Sequence, residues 1–190
     1  MTVIAGLVEG GVAYLAADSY TSSDTTTVRL PIGATTPKLF RVGEMAVGIS
    51  GESRIGHVLR HAVHLPAYPP SLDPLRAVVE LADRLRAEME ARKGLNDDGL
   101  MDGDCLVGFR GRLFQIDCSF AVIEWDTPYA ATGSGDGIAV GSLATTAEPY
   151  FAGMDMDPQL RLATALRVAA LHVSSVQEPF VFLSAPAAGA

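Results

Sequence analysis

The stretch that decides the fold is TVIAGLVEGGVAYLAAD, residues 2–18. Its two apolar runs, 2–8 and 12–17, are rich in Val, Ile, Leu and Ala and are separated by a Glu-Gly-Gly turn. Short runs of this kind, bounded by glycine or charge, are typical of β-strands. The sequence therefore predicts two strands joined by a turn, the first beginning at Thr2 and the second followed by Asp18.

The rest of the chain alternates between groups of strands and groups of helices. Period-2 and short apolar runs predict further strands at 38–42, 45–50, 105–109, 112–117, 120–125, 128–132 and 180–184. Helical apolar spacing, with Asp-Pro starts for the second and fourth helices, predicts helices at about 55–63, from 73 to a stop at Gly94, 137–147 and 157–174. Residues 19–37 are rich in Ser, Thr, Gly and Pro and are predicted as a loop or irregular edge.

This order of elements predicts the fold class. Strands connected by hairpins favour antiparallel sheets, and helices grouped in pairs favour separate layers. We therefore predict an α+β fold in which two stacked antiparallel sheets lie between helix pairs. The chain is long enough for one substantial core and shows no linker, so a single domain over residues 1–190 is predicted, with 185–190 as a frayed tail.

Composition excludes several classes of function. The formal net charge of -8 argues against a nucleic-acid partner. No apolar run approaches the roughly 20 residues that a membrane helix needs, and the start lacks the basic region of a signal peptide. We therefore expect a cytoplasmic protein without membrane contact. Cys105 and Cys118 do not make a disulfide framework and are expected to be reduced, packed thiols.

The first residues carry a candidate nucleophile. Removal of Met1 would leave Thr2 with both a hydroxyl and a free α-amine. An α-amine has a pKa of about 7.7–8.0, so it can act as a general base near neutral pH beside the hydroxyl that it activates. A retained Met1 would block this chemistry.

Four further segments accompany Thr2 in a recognisable order. They are Asp18, the run 37–40 (PKLF), the run 48–51 (GISG) and the run 131–135 (ATGSG). In this order the chain resembles the catalytic-type β subunit of the proteasome from residue 2 to about 184, and its length is most similar to the bacterial heat-shock-locus peptidase. The resemblance implies a four-layer αββα sandwich of the N-terminal-nucleophile hydrolases and a threonine protease active on peptide bonds.

The resemblance also implies a role for each site residue. Thr2 is the nucleophile and its amine the base, Lys38 is the cation beside the Thr2 hydroxyl, and Asp18 pairs with Lys38. Gly51 offers its backbone N–H to the oxyanion, and Ser134 hydrogen-bonds near the terminal amine. A lysine beside an amine lowers the pKa of that amine, and a carboxylate facing the lysine keeps the lysine charged.

Substrate and partners follow from the same resemblance. The substrate is an unfolded polypeptide that binds as an added β-strand between segments 20–23 and 49–51, and the pocket around Ile49 sets an apolar-leaning preference. The active sites lie inside a homo-oligomeric ring. The branch closest in length works with an ATPase ring, so an ATPase unfoldase is a candidate partner.

The chain departs from the family pattern at the end of its last long helix. The stretch 169–175 (AALHVSS) contains no aspartate, whereas the proteasome branch has an Arg-Asp and a nearby serine there. Ser174 or Ser175 could take the place of that serine. The stretch between Asp18 and Lys38 is also a few residues longer than the family pattern.

Other motifs favour structural interpretations. The run 133–137 (GSGDG) lies between a strand and a helix, but Ile138 stands where a dinucleotide-binding loop has its third glycine. Histidines at positions 57, 61 and 64 have helical spacing without a carboxylate to complete a zinc site, and we interpret them as a solvated or subunit-facing stripe. The acidic stretch 96–104 lacks calcium-loop spacing and is predicted as a solvated turn. The sequence thus predicts no metal and no cofactor.

Two other functions remain open from the sequence. The first is a non-proteolytic amidase that uses the same threonine on a small amide. The second is a catalytically silent ring subunit with a structural role, which the absent aspartate in 169–175 suggests.

Overall fold

The computed structural model of the protein describes residues 2–23, 26–29, 37–148 and 156–186, with only the backbone described for 21–23 and 26–29. In chain order, the elements of these residues are β1 (Val3–Glu9), β2 (Val12–Asp18), β3 (Tyr20–Ser23), β4 (Thr26–Arg29), β5 (Leu39–Val42), β6 (Met45–Gly51), α1 (Ser53–His61), α2 (Pro74–Ala91), β7 (Gly103–Phe109), β8 (Arg112–Ile116), β9 (Val122–Glu124), β10 (Tyr129–Gly133), α3 (Asp136–Ala147), α4 (Pro158–His172) and β11 (Phe180–Ala185).

Two antiparallel sheets organise these elements. The first has the strand order β10-β1-β2-β11, and the second has the order β5-β6-β7-β8-β9. Strands β3 and β4 form a separate two-stranded ribbon. The strand pairs within both sheets are antiparallel, as the hairpin connections predicted.

Three apolar clusters define the layers. Helices α1 and α2 pack on the five-stranded sheet through one cluster, and α3 and α4 pack on the four-stranded sheet through another. The third cluster lies between the sheets and includes Ile4, Leu15, Leu39, Leu106 and Leu113. The layer order is therefore αββα, which confirms the predicted fold class.

Strand β1 is apolar or glycine from Val3 to Val8, with no polar alternation before Glu9. Val3, Ala5 and Leu7 belong to the cluster beneath α3 and α4, whereas Ile4 belongs to the cluster between the sheets. Because successive side chains of a strand point to opposite faces, a strand that is covered on both faces needs apolar residues throughout. The absence of polar alternation in residues 2–8 reflects this double coverage.

Both Asp-Pro helix starts are confirmed. The side chain of Asp73 accepts a hydrogen bond from the backbone N–H of Leu75 at 3.3 Å, and Asp157 accepts one from Leu160 at 2.9 Å. Each proline occupies the first turn of its helix, where a missing N–H costs no hydrogen bond.

Several predicted boundaries are wrong. The segment 19–37 was predicted as a loop or irregular edge, but it contains β3 and β4; residues 24, 25 and 30–36 lie outside the described residues. The predicted solvated turn 96–104 ends in the first two residues of β7. Ala185, predicted as the start of a frayed tail, is the fully buried last residue of β11.

The remaining corrections concern side chains on the surface. Helix α1 ends at His61, so His64 does not share a helical face with His57 and His61. Cys105 is buried as predicted, and burial raises the pKa of its thiol, but Cys118 is exposed and is not a packed thiol.

Within the described part of the chain, no helix is both long and apolar enough to span a bilayer.

A glycine at position 48 is expected to be required where the two sheets approach each other. A Cβ on Gly48 would overlap Cγ2 of Ile4 and lie 2.9 Å from Cδ2 of Leu39. Because Ile4 is β-branched and fully buried between the sheets, it has little room to move, and Gly48→Ala should lower the free energy of unfolding by about 1–3 kcal/mol. Chemical denaturation measures this change.

Gly141→Ala is the matched control. Gly141 lies on α3, and a Cβ there would meet no atom within 4 Å. Alanine is the better helix former by about 0.8–1.0 kcal/mol, so this variant should be at least as stable as the wild type. Equal stabilities of the two variants would contradict the packing described here.

Candidate active site

The ammonium group of Lys38 contacts two other predicted site residues, Thr2 and Asp18. Its Nζ donates to Oγ1 of Thr2 and, over 2.8 Å, to Oδ2 of Asp18. All three residues are buried: Thr2 is 4% exposed, Lys38 8% and Asp18 0%. The fold thus brings together a hydroxyl, a lysine and a carboxylate that are separated by as many as 36 residues in the chain.

The β1–β2 hairpin places the carboxylate beside the start of β1. Ile4 pairs with Ala17 in the antiparallel register, so the residues that follow Ala17 lie opposite the residues that precede Ile4. Oδ1 of Asp18 accepts the backbone N–H of Val3 at 3.2 Å, and Oδ2 accepts the N–H of Tyr20 at 3.2 Å. These backbone donors orient the carboxylate toward Lys38.

Burial and the carboxylate act on Lys38 in opposite directions. Removal from water disfavours the charged ammonium and lowers the pKa of Lys38 below its ordinary value, while the charge and hydrogen bond of Asp18 oppose that shift. Burial is the larger effect. Protonation of Lys38 therefore depends on Asp18, and Lys38 loses its proton at a lower pH than an exposed lysine does.

The loop after β10 holds the backbone of Thr2. The N–H of Ser134 donates to the Thr2 carbonyl oxygen at 2.8 Å, and the Ser134 hydroxyl donates to the same oxygen at 3.2 Å. Ser134 was predicted to bond near the terminal amine, and that role stays a prediction; in the structure its hydroxyl bonds to the carbonyl of the same residue, Thr2. Gly133 has a φ of 100°, and a Cβ there would overlap the Thr2 oxygen, so glycine is required.

Gly51 and Ile49 lie at the end of β6. The N–H of Ile49 donates to the carbonyl of Lys38 at 3.0 Å, which fixes the end of β6 beside the lysine. Gly51 has a φ of 96° and pairs with Gly103, and a Cβ on Gly51 would overlap the carbonyl oxygen of Asp102. Ile49 is nearly buried, with its side chain beside Gly56. The oxyanion role of Gly51 stays a prediction.

Sequence reasoning missed a second group of polar side chains near the site. Ser50, Thr132 and Asp104 are hydrogen-bonded to one another, and we call them the inter-sheet cluster. Asp104 was predicted in a solvated turn, but it lies in β7 and accepts a hydrogen bond from Thr132. The available signal was a hydroxyl residue directly before Gly51 and another directly before Gly133.

Two other buried hydroxyls have no hydrogen-bond partner among the described residues. They belong to Ser19, next to Asp18, and Ser175, in the turn after α4. Ser174 is exposed, so Ser175 is the inward-facing member of the pair that the sequence left open. The described residues contain no group of three or more His, Cys, Asp or Glu side chains that could hold a metal ion.

Removing Asp18 should destabilise the protein through the lysine that it leaves behind. Breaking a buried ion pair by deleting one partner costs about 3–5 kcal/mol, so Asp18→Asn is expected to lower the free energy of unfolding by that amount. Adding Lys38→Met removes the uncompensated charge, and the double variant should recover part of the loss. Denaturant unfolding of the two single variants and the double variant measures both effects. A double variant less stable than Asp18→Asn would contradict a paired, charged Lys38.

Comparison with solved structures places this geometry in a known fold. BPH from Thiobacillus denitrificans aligns over 100% of both chains, with a TM-score of 0.81 and 20% sequence identity. Its complex with epoxomicin aligns over 96% of this chain and 97% of that chain, with a TM-score of 0.80 and 20% identity. Eukaryotic HslV from Trypanosoma brucei aligns over 96% of this chain and 98% of its own, with a TM-score of 0.67 and 17% identity.

A structure described as the helical assembly of the Anbu complex from Pseudomonas aeruginosa is also similar, with a TM-score of 0.68 and 20% identity over 96% of this chain and 80% of that chain. No protein-family model and no curated protein matches the sequence. At these identities the similarity is one of fold. The chain therefore has the fold of the proteasome-like hydrolases with an N-terminal nucleophile, as its resemblance to the proteasome β subunit predicted.

Proposed function

We propose that the protein, after removal of Met1, is a threonine-type endopeptidase that hydrolyses peptide bonds of unfolded polypeptides. The observation that carries this proposal is the buried Lys38 ammonium in contact with both the Thr2 hydroxyl and the Asp18 carboxylate. A threonine with only a structural role at the start of a strand would need neither a buried lysine nor a carboxylate beside it. The three together match what activation of a hydroxyl nucleophile requires.

The reaction proceeds through an ester on Thr2. The free α-amine takes the proton of the hydroxyl as Oγ1 attacks the carbonyl carbon of the scissile bond. The carbon–nitrogen bond then breaks, and the proton passes from the ammonium to the departing amine. A water molecule then attacks the ester carbon while the amine accepts a proton from it. The bond from this carbon to Oγ1 breaks, and the ammonium returns the proton to Oγ1, which restores the Thr2 hydroxyl and releases the acid.

Lys38 assists both proton transfer and attack. Its positive charge lowers the pKa of a neighbouring α-amine by like-charge repulsion, so more of the amine is free base at neutral pH. The same charge stabilises the developing negative charge on Oγ1. Asp18 favours the protonated form of Lys38, which both effects need. The backbone N–H of Gly51 donates a hydrogen bond to the oxyanion. In comparable sites one such donor stabilises the transition state by about 2.7–4 kcal/mol.

The substrate binds as an added strand between segments 20–23 and 49–51. Main-chain hydrogen bonds supply most of the affinity of such a strand, so selectivity for sequence is loose. The pocket around Ile49, a residue of the apolar cluster beneath α1 and α2, is proposed to favour an apolar substrate side chain. We further propose a cytoplasmic homo-oligomeric ring, with an ATPase unfoldase as its candidate partner. Support for an assembly comes from the Anbu structure, which is described as a helical assembly.

A covalent probe tests the nucleophile directly. Epoxomicin is bound in one of the similar structures, so it is a suitable reagent. The purified protein is expected to have an intact mass that lacks one methionine, to gain the mass of one epoxomicin per chain, and to lose peptidase activity in proportion. Thr2→Ala should form no adduct and should cleave no peptide, because it lacks the attacking oxygen.

Thr145→Ala is the matched control, since Thr145 lies on the exposed face of α3. It should react with epoxomicin as the wild type does. A mature protein that keeps Met1 and forms no adduct would contradict the proposal and favour the silent ring subunit. Hydrolysis of a small amide with no cleavage of any peptide in a panel would favour the amidase.

The pH profile of kcat/KM should be bell-shaped. Activity should rise with pH as the Thr2 amine loses its proton, because the base must be free. Activity should fall again at alkaline pH as Lys38 loses its proton. The midpoint of this alkaline fall should lie below the ordinary lysine pKa of about 10.4, because burial lowers the pKa of Lys38. Lys38→Arg carries a charge that persists above pH 12, so its alkaline limb should move to higher pH.

Lys93→Arg provides the control, since Lys93 is exposed beyond the end of α2. Its profile should coincide with that of the wild type. An alkaline limb that does not move in Lys38→Arg would assign that limb to another group.

A further inference from the structure

The inter-sheet cluster of Ser50, Thr132 and Asp104 joins three strands from two sheets. Ser50 in β6 and Asp104 in β7 are directly opposite each other in the five-stranded sheet. Thr132 belongs to β10, at the edge of the four-stranded sheet. Ser50 is 5% exposed and Thr132 2%, so these hydroxyls are buried at the meeting point of the sheets.

Two hydroxyl protons serve the hydrogen bonds of the cluster: Thr132 donates to the Asp104 carboxylate, and Ser50 donates to the Asp104 backbone oxygen or to Oγ1 of Thr132. Oγ1 of Thr132 donates to the carboxylate Oδ2 of Asp104 at 3.2 Å. The Ser50 hydroxyl lies 3.4 Å from Oγ1 of Thr132 and 3.3 Å from the backbone oxygen of Asp104. An ionised carboxylate only accepts hydrogen bonds, so the Thr132 proton points to Asp104 and the Thr132 oxygen can accept from Ser50.

The cluster is adjacent to both halves of the candidate active site. Thr132 directly precedes Gly133 and Ser134, and Ser134 holds the Thr2 carbonyl through two hydrogen bonds. Ser50 directly precedes Gly51, the proposed oxyanion donor. A Cβ on Gly133 would lie 3.3 Å from Cβ of Ser50 while overlapping the Thr2 oxygen, so the two halves meet at this point.

Near the site, the described contacts between the sheets include the bonds of Lys38 to Thr2 and Asp18, but most of the packing is apolar. The cluster that packs between them consists of apolar side chains such as Ile4, Leu39 and Leu106. Apolar contacts are non-directional and tolerate small sliding movements, whereas a hydrogen bond weakens steeply as its distance and angle change. The spacing of Thr2 and Gly51 therefore has directional control from the bonds of Thr132.

We propose that Ser50, Thr132 and Asp104 are positioning residues that fix the nucleophile, Thr2, relative to the backbone N–H of Gly51. This inference rests on the proposed peptidase function. The cluster touches neither substrate nor the reacting atoms; it acts through Ser134 on one side and Gly51 on the other. Misplacement of reacting groups by about 1 Å can cost on the order of 100-fold in rate, so loss of the cluster should appear in kcat.

Thr132→Val is the decisive variant, because valine keeps the shape of threonine and removes the hydroxyl. With kcat calculated per epoxomicin-reactive site, kcat is expected to fall at least about 10-fold while KM changes less than about twofold. Thr132→Ser restores the donor and should recover most of kcat. Ser50→Ala should lower kcat in the same way.

Thr146→Val is the control for loss of a hydroxyl hydrogen bond, since Thr146 bonds to the Leu143 carbonyl near the end of α3, away from the site. Its kcat should equal that of the wild type. A wild-type kcat per reactive site in Thr132→Val, with only a lower melting temperature, would overturn the proposal and leave the cluster a structural role. A lower kcat/KM that results from a higher KM, with kcat unchanged, would also overturn the proposal.

Hydrogen exchange of the Ser134 amide gives a readout that does not need activity. This amide donates to the Thr2 carbonyl, and its exchange should be on the order of 10-fold faster in Thr132→Val than in the wild type or Thr146→Val. If the wild type cleaves no peptide, the proposed function fails, and the exchange rate alone decides the positioning role. Unchanged exchange in that case overturns the role.

Discussion

Lys38 carries its ammonium into a region where its side chain is 9% exposed and the partner carboxylate of Asp18 is fully buried. A charge removed from water is tolerated only when other groups replace its hydration. Asp18 and the Thr2 hydroxyl supply this replacement, and the backbone N–H groups of Val3 and Tyr20 hold the carboxylate in place. The lysine therefore constrains the start of β1, the end of β2 and the residues before β5 at once.

The sheets provide the rigid frame that this constraint needs. Strand β1 is hydrogen-bonded on both sides, to β2 and to β10, so the backbone that follows Thr2 cannot shift without breaking two ladders. Gly133 lets β10 approach the Thr2 carbonyl, and the bond from Ile49 to the Lys38 carbonyl brings the second sheet to the same point. The candidate site thus lies where the two sheets meet, and both contribute to it.

The parts of the fold that the sequence predicted well are those with strong local signals. The Asp-Pro starts of α2 and α4 have their caps within three residues, and the apolar runs of β1 and β2 are bounded by a glycine turn. The wrong predictions have long-range causes. Strands β3 and β4 consist largely of Thr and Ser and have no apolar pattern, and Asp104 became part of β7 because Ser50 pairs with it across the sheet.

Residue order was enough to indicate two stacked sheets between helix pairs, because hydrophobic periodicity and helix caps are local properties of a chain. The candidates Thr2, Asp18, Lys38, Gly51 and Ser134 came from the resemblance of the ordered motifs to the proteasome β subunit. The resemblance implied that Lys38 lies beside Thr2 and pairs with Asp18, but other features of the site could not be read from the sequence. These features are the burial of Lys38 against Thr2, the bonds of Ser134 to the Thr2 carbonyl, and the inter-sheet cluster. Each depends on contacts between residues more than 25 positions apart in the chain. Such contacts exist only once two sheets have packed face to face, since close packing sets which side chains meet and which are removed from water.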